Sequence, residues 1–280
     1  MSPKQRIDIC IPCLNGEEVI EDTIRSCNCS HPVRIIVGLN ACTDGTKQRL
    51  ESLGLDNLII NDFTTRVDMV ENWVRTLRLC DSEYVKLLPA GDRLLPGALD
   101  HQLKVLTSGD RTNDVGLVAS KKAISHKSSI VGWLVNRVLE QNNGRARSRS
   151  TGEVLNELER LPRNIFGEPG CVLFKQSALR CLLRSDESFI KLGRLYPYVV
   201  DLIMYIEAIR SAPDFTDCIF DTRTVCSFEV SRRSGTWKLR RRQYSDLLGY
   251  CKYLGLRPGL KAKIAAKSIS MARELVYLFA

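Results

Sequence analysis

The sequence predicts an α/β protein built on a mainly parallel sheet covered by helices. Strand-like and helix-like segments alternate four times in about the first hundred residues, and a chain that alternates this way pairs its strands in parallel. Of the 280 residues, 44% are hydrophobic and 26% charged, which excludes collagen-like, disordered and coiled-coil chains and leaves enough apolar mass for a sizeable core. No apolar run approaches the roughly 18–20 residues of a membrane-spanning helix, and the first ten residues lack the apolar centre of a signal peptide. The expectation is a cytoplasmic protein.

Residues 6–13, RIDICIPC, read as a buried strand ended by the turn Leu14-Asn15-Gly16. Residues 17–27 follow as a helix with Val19, Ile20, Thr23, Ile24 and Cys27 on one face. Residues 33–39, VRIIVGL, make a second strand, and 40–45 a turn with an Asp-Gly step. A helix over 46–53, a strand over 57–61, a helix over 66–80 and a strand over 84–88 continue the alternation. Pro89-Ala90-Gly91-Asp92 is a loop, and Pro96 opens a helix to residue 106. Right-handed crossovers put the loops after the strands along one edge, where such sheets bind ligands. Residues 13–17, 39–44 and 89–92 are therefore the candidate site. After about residue 120 the alternation stops. Residues 121–140 read as a helix, 141–152 as a mobile polar loop, and 171–174 as a strand. Helices over 177–183 and 199–210, strand-like sequence over 219–230 and helical sequence to the C-terminus complete the reading.

The net charge of +9 is concentrated at one end. Residues 232–280 hold 12 Lys and Arg against two acids, Asp246 and Glu274, while the preceding residues hold 29 bases against 30 acids. This basic tail contains Trp237, Lys238 and Arg240–Arg242, then a stretch whose Leu260, Ile264, Met271, Leu275, Leu278 and Phe279 fall near one helical face. Such a segment suits an anionic membrane surface, with a solvated basic face as the plainer reading. No nucleic-acid motif accompanies it, which makes nucleic acid the weaker partner. Eleven cysteines without a secretory signal read as small buried hydrophobes rather than a disulfide framework. Cys10-Ile11-Pro12-Cys13 lies in a strand and has no second ligand pair at zinc spacing.

Six segments in order resemble the family 2 glycosyltransferases, which have the nucleotide-sugar-binding GT-A fold. They are Ile9 to Glu17 (ICIPCLNGE), Asn40 to Thr46 (NACTDGT), Asn72-Trp73-Val74-Arg75, Tyr84 to Asp92 (YVKLLPAGD) with Leu94 to Leu99, Gly167-Glu168-Pro169 with Val172-Leu173-Phe174, and Asp201-Leu202. Together they cover residues 7–230. The resemblance implies a donor-binding half over residues 1–106, an acceptor half over 107–231 and the basic helical extension over 232–280. It implies transfer of a sugar from a nucleotide-diphosphate donor to a glycan or lipid-linked acceptor with inversion, in bacterial cell-surface polysaccharide synthesis. Asp201 matches the family's catalytic base, an N-terminal helix cap being its plainer role. Asp92 matches the ligand of a divalent cation, Mg²⁺ or Mn²⁺. Pro12, Asn15, Glu17, Asn40, Arg75, Lys86 and Gly91 fall at donor-site positions, Glu168 at an acceptor position, and Arg232 and Arg233 where relatives contact the diphosphate. The inner face of the plasma membrane would be its place.

The departures define the rival readings. Leu39 occupies the column of an acid that bonds the donor base, and leucine accepts nothing. Asn40 beside it offers an amide oxygen. Gly91 stands where an acid usually precedes the metal ligand. A catalytically degenerate binding protein is one alternative, and docking of nucleic acid or a partner through the tail is another. His31, His101 and His126 match no functional column and read as structural or exposed.

Overall fold

A computed structural model describes residues 6–108, 115–125, 146–180, 182–183, 187–211, 217–229 and 239–278. Arg232, Arg233, Trp237, Lys238 and His126 lie outside these, as does most of the helix expected over 121–140. The side chains of Leu275, Leu278 and Phe279 are also outside them.

The alternating half forms as the sequence predicts. Strands β1 (Ile7–Cys13), β2 (Val33–Asn40), β3 (Leu58–Phe63) and β4 (Tyr84–Leu87) lie parallel in the order β3-β2-β1-β4. Helices α1 (Ile20–Arg25), α2 (Thr46–Glu51) and α3 (Met69–Leu77) make the crossovers, and α4 (Ala98–Thr107) follows the short β5 (Arg93–Leu94). Every residue of β1 is buried, which is why its apolar run is continuous and not alternating. Gly38 of β2 lets α3 approach closely, since a Cβ there would stand 2.1 Å from Thr76 Oγ1. At the end of β1 remote from the candidate loops, fully buried Asp8 accepts from Arg34 Nε and Nη2 (2.9 and 2.6 Å), Ser82 N and Oγ (2.9 and 2.6 Å) and Asp81 N (2.8 Å). Burial works to raise its pKa, and these bonds outweigh it, holding the carboxyl below its ordinary value.

The second half turns the sheet mixed. It comprises β6 (Val115–Ser125), β7 (Arg147–Ser150), α5 (Thr151–Arg160), β8 (Val172–Lys175), α6 (Gln176–Arg180), α7 (Ser188–Leu195), α8 (Val200–Ser211), β9 (Asp217–Glu229), α9 (Gln243–Tyr253) and α10 (Leu260–Leu278). The nine-stranded sheet runs β3-β2-β1-β4-β8-β6-β9-β5, with β7 also on β9. Strand β8 is antiparallel to both β4 and β6, while β6 and β9 are parallel with register shifts. Two expectations are corrected here. Residues 121–125 continue β6, because pairing of Lys121–Ser125 with Thr224–Glu229 overrides the helix-forming Lys-Lys-Ala sequence. Residues 147–150 are a strand against Asp217–Phe220, and Ser150 with Glu153 forms a capping box that starts α5.

The core joins both halves: Leu103 of α4, Phe174 of β8 and Tyr205 of α8 are buried with the strands of the parallel half. Helix α9 also enters it through Leu247, Tyr250 and Cys251. Tyr250 Oη donates to Glu207 Oε1 (3.1 Å), and Asp246 Oδ2 accepts from Tyr198 N (3.0 Å). The cysteines behave as small hydrophobes: eight of the ten described are buried, and all ten are free thiols. Among the described residues no helix is long and apolar enough to cross a membrane.

Candidate functional site

The first two candidate loops are zipped to each other. Both turn on a left-handed non-glycine residue, Asn15 (φ 52°) and Ala41 (φ 49°). Asn15 Oδ1 accepts from Thr43 N (2.9 Å), and Asn15 Nδ2 donates to Thr43 Oγ1 (3.3 Å). Gly16 N donates to Thr46 Oγ1 (2.8 Å), Glu17 N to Asp44 Oδ2 (3.1 Å) and Gly45 N to Glu17 Oε2 (3.0 Å). Asn15 and Glu17 thus build the rim of the site, and Pro12 is buried in β1 beneath it.

Asn40 and Arg75 are bonded to each other and to the chain that follows β3. Asn40 is 2% exposed, and its amide is already used. Its Oδ1 accepts from Val67 N (2.9 Å) and Arg75 Nη2 (2.6 Å), and its Nδ2 donates to Val67 O (2.9 Å). Arg75 also donates from Nε to Asn72 Oδ1 (2.9 Å) and from Nη1 to Thr65 O (2.9 Å), and lies 4.0 Å over the Phe63 ring. Both side chains hold the chain after β3 against β2 and α3. Leu39 is buried in the core.

The third loop holds Gly91 and Asp92. Gly91 sits at φ 102°, where an L side chain is strained, and its N–H donates to Thr23 Oγ1 (3.0 Å). The turn needs glycine at the position where the resemblance implies an acid. Asp92 follows, half-buried, and desolvation with the nearby Glu168 pushes its carboxyl up to about 8 against the pull of Lys122 and Lys86. Glu168 pairs with Lys122 of β6 at 2.5 Å. Lys86 is not solvated: it is fully buried in β4 and donates to Gln102 Oε1 (2.7 Å). Burial holds its ammonium down at about 8, with Cys226, Cys171, Cys27 and Asp92 opposing. Gln102 Nε2 in turn donates to Cys171 O (2.7 Å) and Ser120 Oγ (3.0 Å), and Ser120 Oγ to Asp221 Oδ2 (3.2 Å). His101 Nε2 lies 2.9 Å from the same Asp221 oxygen, a structural contact.

Asp201 enters from α8. It stands in the first helical turn rather than at the cap, and Leu202 N donates to its Oδ1 (2.7 Å). Asn164 Nδ2 donates to Asp201 Oδ2 (2.7 Å) and to Gly167 O (3.0 Å). The Asn164 Oδ1 accepts from Phe166 N (3.0 Å) and Gly167 N (3.2 Å). Buried Tyr205 Oη donates to Gly167 O (3.3 Å), and burial, then the charges of Asp201 and Glu168 among others, raise its phenol well above the ordinary value. Asp92, Glu168 with Lys122, and Asp201 with Asn164 therefore share one region. Lys122, Asn164 and Gln102 escape sequence reasoning, since each lies in a segment with no motif.

Among the described residues no three His, Cys, Asp or Glu side chains gather into a protein-only metal cage. A divalent cation on a diphosphate needs only one or two carboxylates, the phosphates supplying the rest. Asp92 fits as that carboxylate: it follows the strand-end turn Pro89 to Gly91 and lies near a second acid, Glu168.

No family model matches the chain, and no curated protein matches it in sequence. Solved structures do. S. aureus TarS 1-349 in complex with UDP-GlcNAc matches with TM-score 0.61 at 12% identity, over 98% of this chain and 73% of that one. The mannosyltransferase PcManGT from Pyrobaculum calidifontis, with GDP-Man and Mn²⁺, matches with TM-score 0.54 at 19% identity, over 98% and 71%. Glucosyl-3-phosphoglycerate synthase from Mycobacterium tuberculosis, with Mn²⁺, UDP and glucosyl-3-phosphoglycerate, matches with TM-score 0.51 at 17% identity, over 88% and 80%. The chain has the GT-A fold.

Proposed function

We propose that the protein is a glycosyltransferase that moves a sugar from a nucleotide-diphosphate donor to a hydroxyl of a glycan or lipid-linked acceptor. What supports this reading is that Asp92 follows β4 of a GT-A sheet with Glu168 nearby, and that Asn164 ties Asp201 to the carbonyl of Gly167 next to Glu168. The nucleotides bound by three neighbours of this fold, UDP-GlcNAc, GDP-Man and UDP, support a nucleotide sugar as donor. Asp92 would hold Mg²⁺ or Mn²⁺, which when bound neutralises the leaving diphosphate. The rim formed by residues 13–17 and 39–44 would seat the nucleoside. Asp201, steadied by Asn164, would take the proton of the acceptor hydroxyl. The acceptor oxygen then bonds to the anomeric carbon as the bond to diphosphate breaks on the opposite side, inverting that centre. Glu168, held by Lys122, would orient the acceptor. The free thiols suit the cytoplasm, where nucleotide sugars are made, and the sequence resemblance supports a place in bacterial cell-surface polysaccharide synthesis.

A second reading, a protein of this fold that binds without transferring, is favoured by one observation. The position of the base-binding acid is a buried leucine, and Asn40 spends its amide on Val67 and Arg75. Calorimetric titration of UDP, GDP, CDP and dTDP, each with Mn²⁺ and with EDTA, separates the two. Metal-dependent binding of one nucleotide, with transfer from its sugar conjugate, supports the enzyme. Binding of none overturns the donor site.

A further inference from the structure

Helix α10 presents its apolar stripe away from the protein. At about 100° per residue, Leu260, Ile264 and Met271 fall within about 40° of one another. They are 75%, 58% and 58% exposed. On the opposite side Ala266, about 140° around the helix, is buried and Ile269 is half-buried. An ordinary surface helix does the reverse, burying its large aliphatic residues and exposing its polar face. Three lysines, Lys261, Lys263 and Lys267, are all exposed and flank or interrupt the stripe.

We propose that this face of α10 docks on an anionic lipid bilayer, with Leu260, Ile264 and Met271 entering the acyl boundary and Lys261, Lys263 and Lys267 at the headgroups. The inference goes beyond the transfer reaction and stands whether or not the donor site is active. Charge complementarity selects the partner. The segment from residue 232 onward carries 12 basic residues against two acids, so a second copy of the same face would bring lysine against lysine. A nucleic acid would meet the lysines but leave three large aliphatic side chains against phosphate and water. A bilayer satisfies both sets at once, the apolar groups by burial and the lysines by the negative surface potential.

The test is co-sedimentation of the full chain with vesicles of equimolar phosphatidylglycerol and phosphatidylcholine, compared with vesicles of phosphatidylcholine alone. The wild type should bind the anionic vesicles and lose binding in high salt. Lys261→Ala/Lys263→Ala/Lys267→Ala should weaken the partition by on the order of 100-fold, at about 1 kcal/mol per lysine near such a surface. Leu260→Ser/Ile264→Ser/Met271→Ser should abolish it, with an unchanged melting temperature because all three side chains are exposed. Three results would overturn the proposal: no wild-type binding to the anionic vesicles, equal binding by the serine variant, or a dimer in size-exclusion chromatography that the serine substitutions dissolve. Salt-sensitive binding of single-stranded RNA that persists in the serine variant, with no vesicle binding, would move the basic surface to nucleic acid.

Discussion

Gln102→Leu should be among the most damaging single substitutions, and its effect should depend on pH. Gln102 is fully buried and supplies the acceptor at 2.7 Å for the equally buried ammonium of Lys86. Leucine fills much of the same volume but accepts nothing. It leaves a buried charged donor without that partner, at about 2 to 3 kcal/mol, and the Cys171 carbonyl without the Gln102 bond, at about 1 kcal/mol. The expected loss is about 3 to 4 kcal/mol where Lys86 stays charged in both proteins, and about 2 kcal/mol at pH 7, where the variant's lysine has largely given up its proton. The pH dependence follows from Lys86, held at about 8 in the fold instead of 10.5. Because the unfolded chain keeps that proton longer, the wild type gains stability from this group as pH rises from about 8 to 10.5, by about 3 kcal/mol. In the variant the folded pKa falls further, so the difference between the two proteins is largest below pH 8 and shrinks as pH rises through it. Urea denaturation of both proteins at pH 7 and pH 9.5 measures this, and titrations common to both cancel in the difference. A loss under about 1 kcal/mol at pH 7, or one unchanged at pH 9.5, would refute the placement of a charged Lys86 on Gln102.

Asp201→Asn should leave nucleotide binding intact and lower transfer by about 10² to 10⁴-fold, the usual range for a lost general base, read by product formation at saturating donor. Asn164→Ala should lower kcat by about tenfold without weakening nucleotide affinity. The bond it removes is the one from Asn164 Nδ2 to Asp201 Oδ2 (2.7 Å). Asp8→Asn should cost about 3 kcal/mol in urea denaturation at pH 7 by breaking the buried pair with Arg34. Its stabilisation is present above the ordinary carboxylate range and lost as pH falls through its lowered folded value, so the gap between wild type and variant should close in strong acid.

The legibility of the sequence differs sharply between the two halves of the sheet. In the first, β1 and β2 announce themselves as apolar runs ended by Asn-Gly and Asp-Gly turns, and parallel pairing follows from alternation with helices. In the second, β7 is four polar residues, RSRS, and β6 continues through Lys121 and Lys122. Neither carries a local signal, because what makes them strands is the pairing offered by β9, about seventy residues later in one case and about a hundred in the other. The one clue within reach was the capping box of Ser150 and Glu153.

For the candidate site, the sequence by itself determined which residue types stand at the strand ends: the Pro89 to Asp92 turn, the Asn15 and Asp44 loops, and an Asp opening α8. A residue type at a strand end follows from local pattern, and pattern is written in the chain. Only the tertiary structure decided how each side chain is used. It spends Asn40 and Arg75 on the chain after β3, buries Lys86 on Gln102, and brings Glu168, Lys122 and Asn164 to Asp92 and Asp201. The physical reason is that a polar side chain's availability depends on which partners reach it and how far water is excluded. Both are properties of residues distant in sequence. The same holds for α10, whose spacing of Leu260, Ile264 and Met271 is legible as a stripe, while the packing of Ala266 and Ile269 on the opposite side turns that stripe outward.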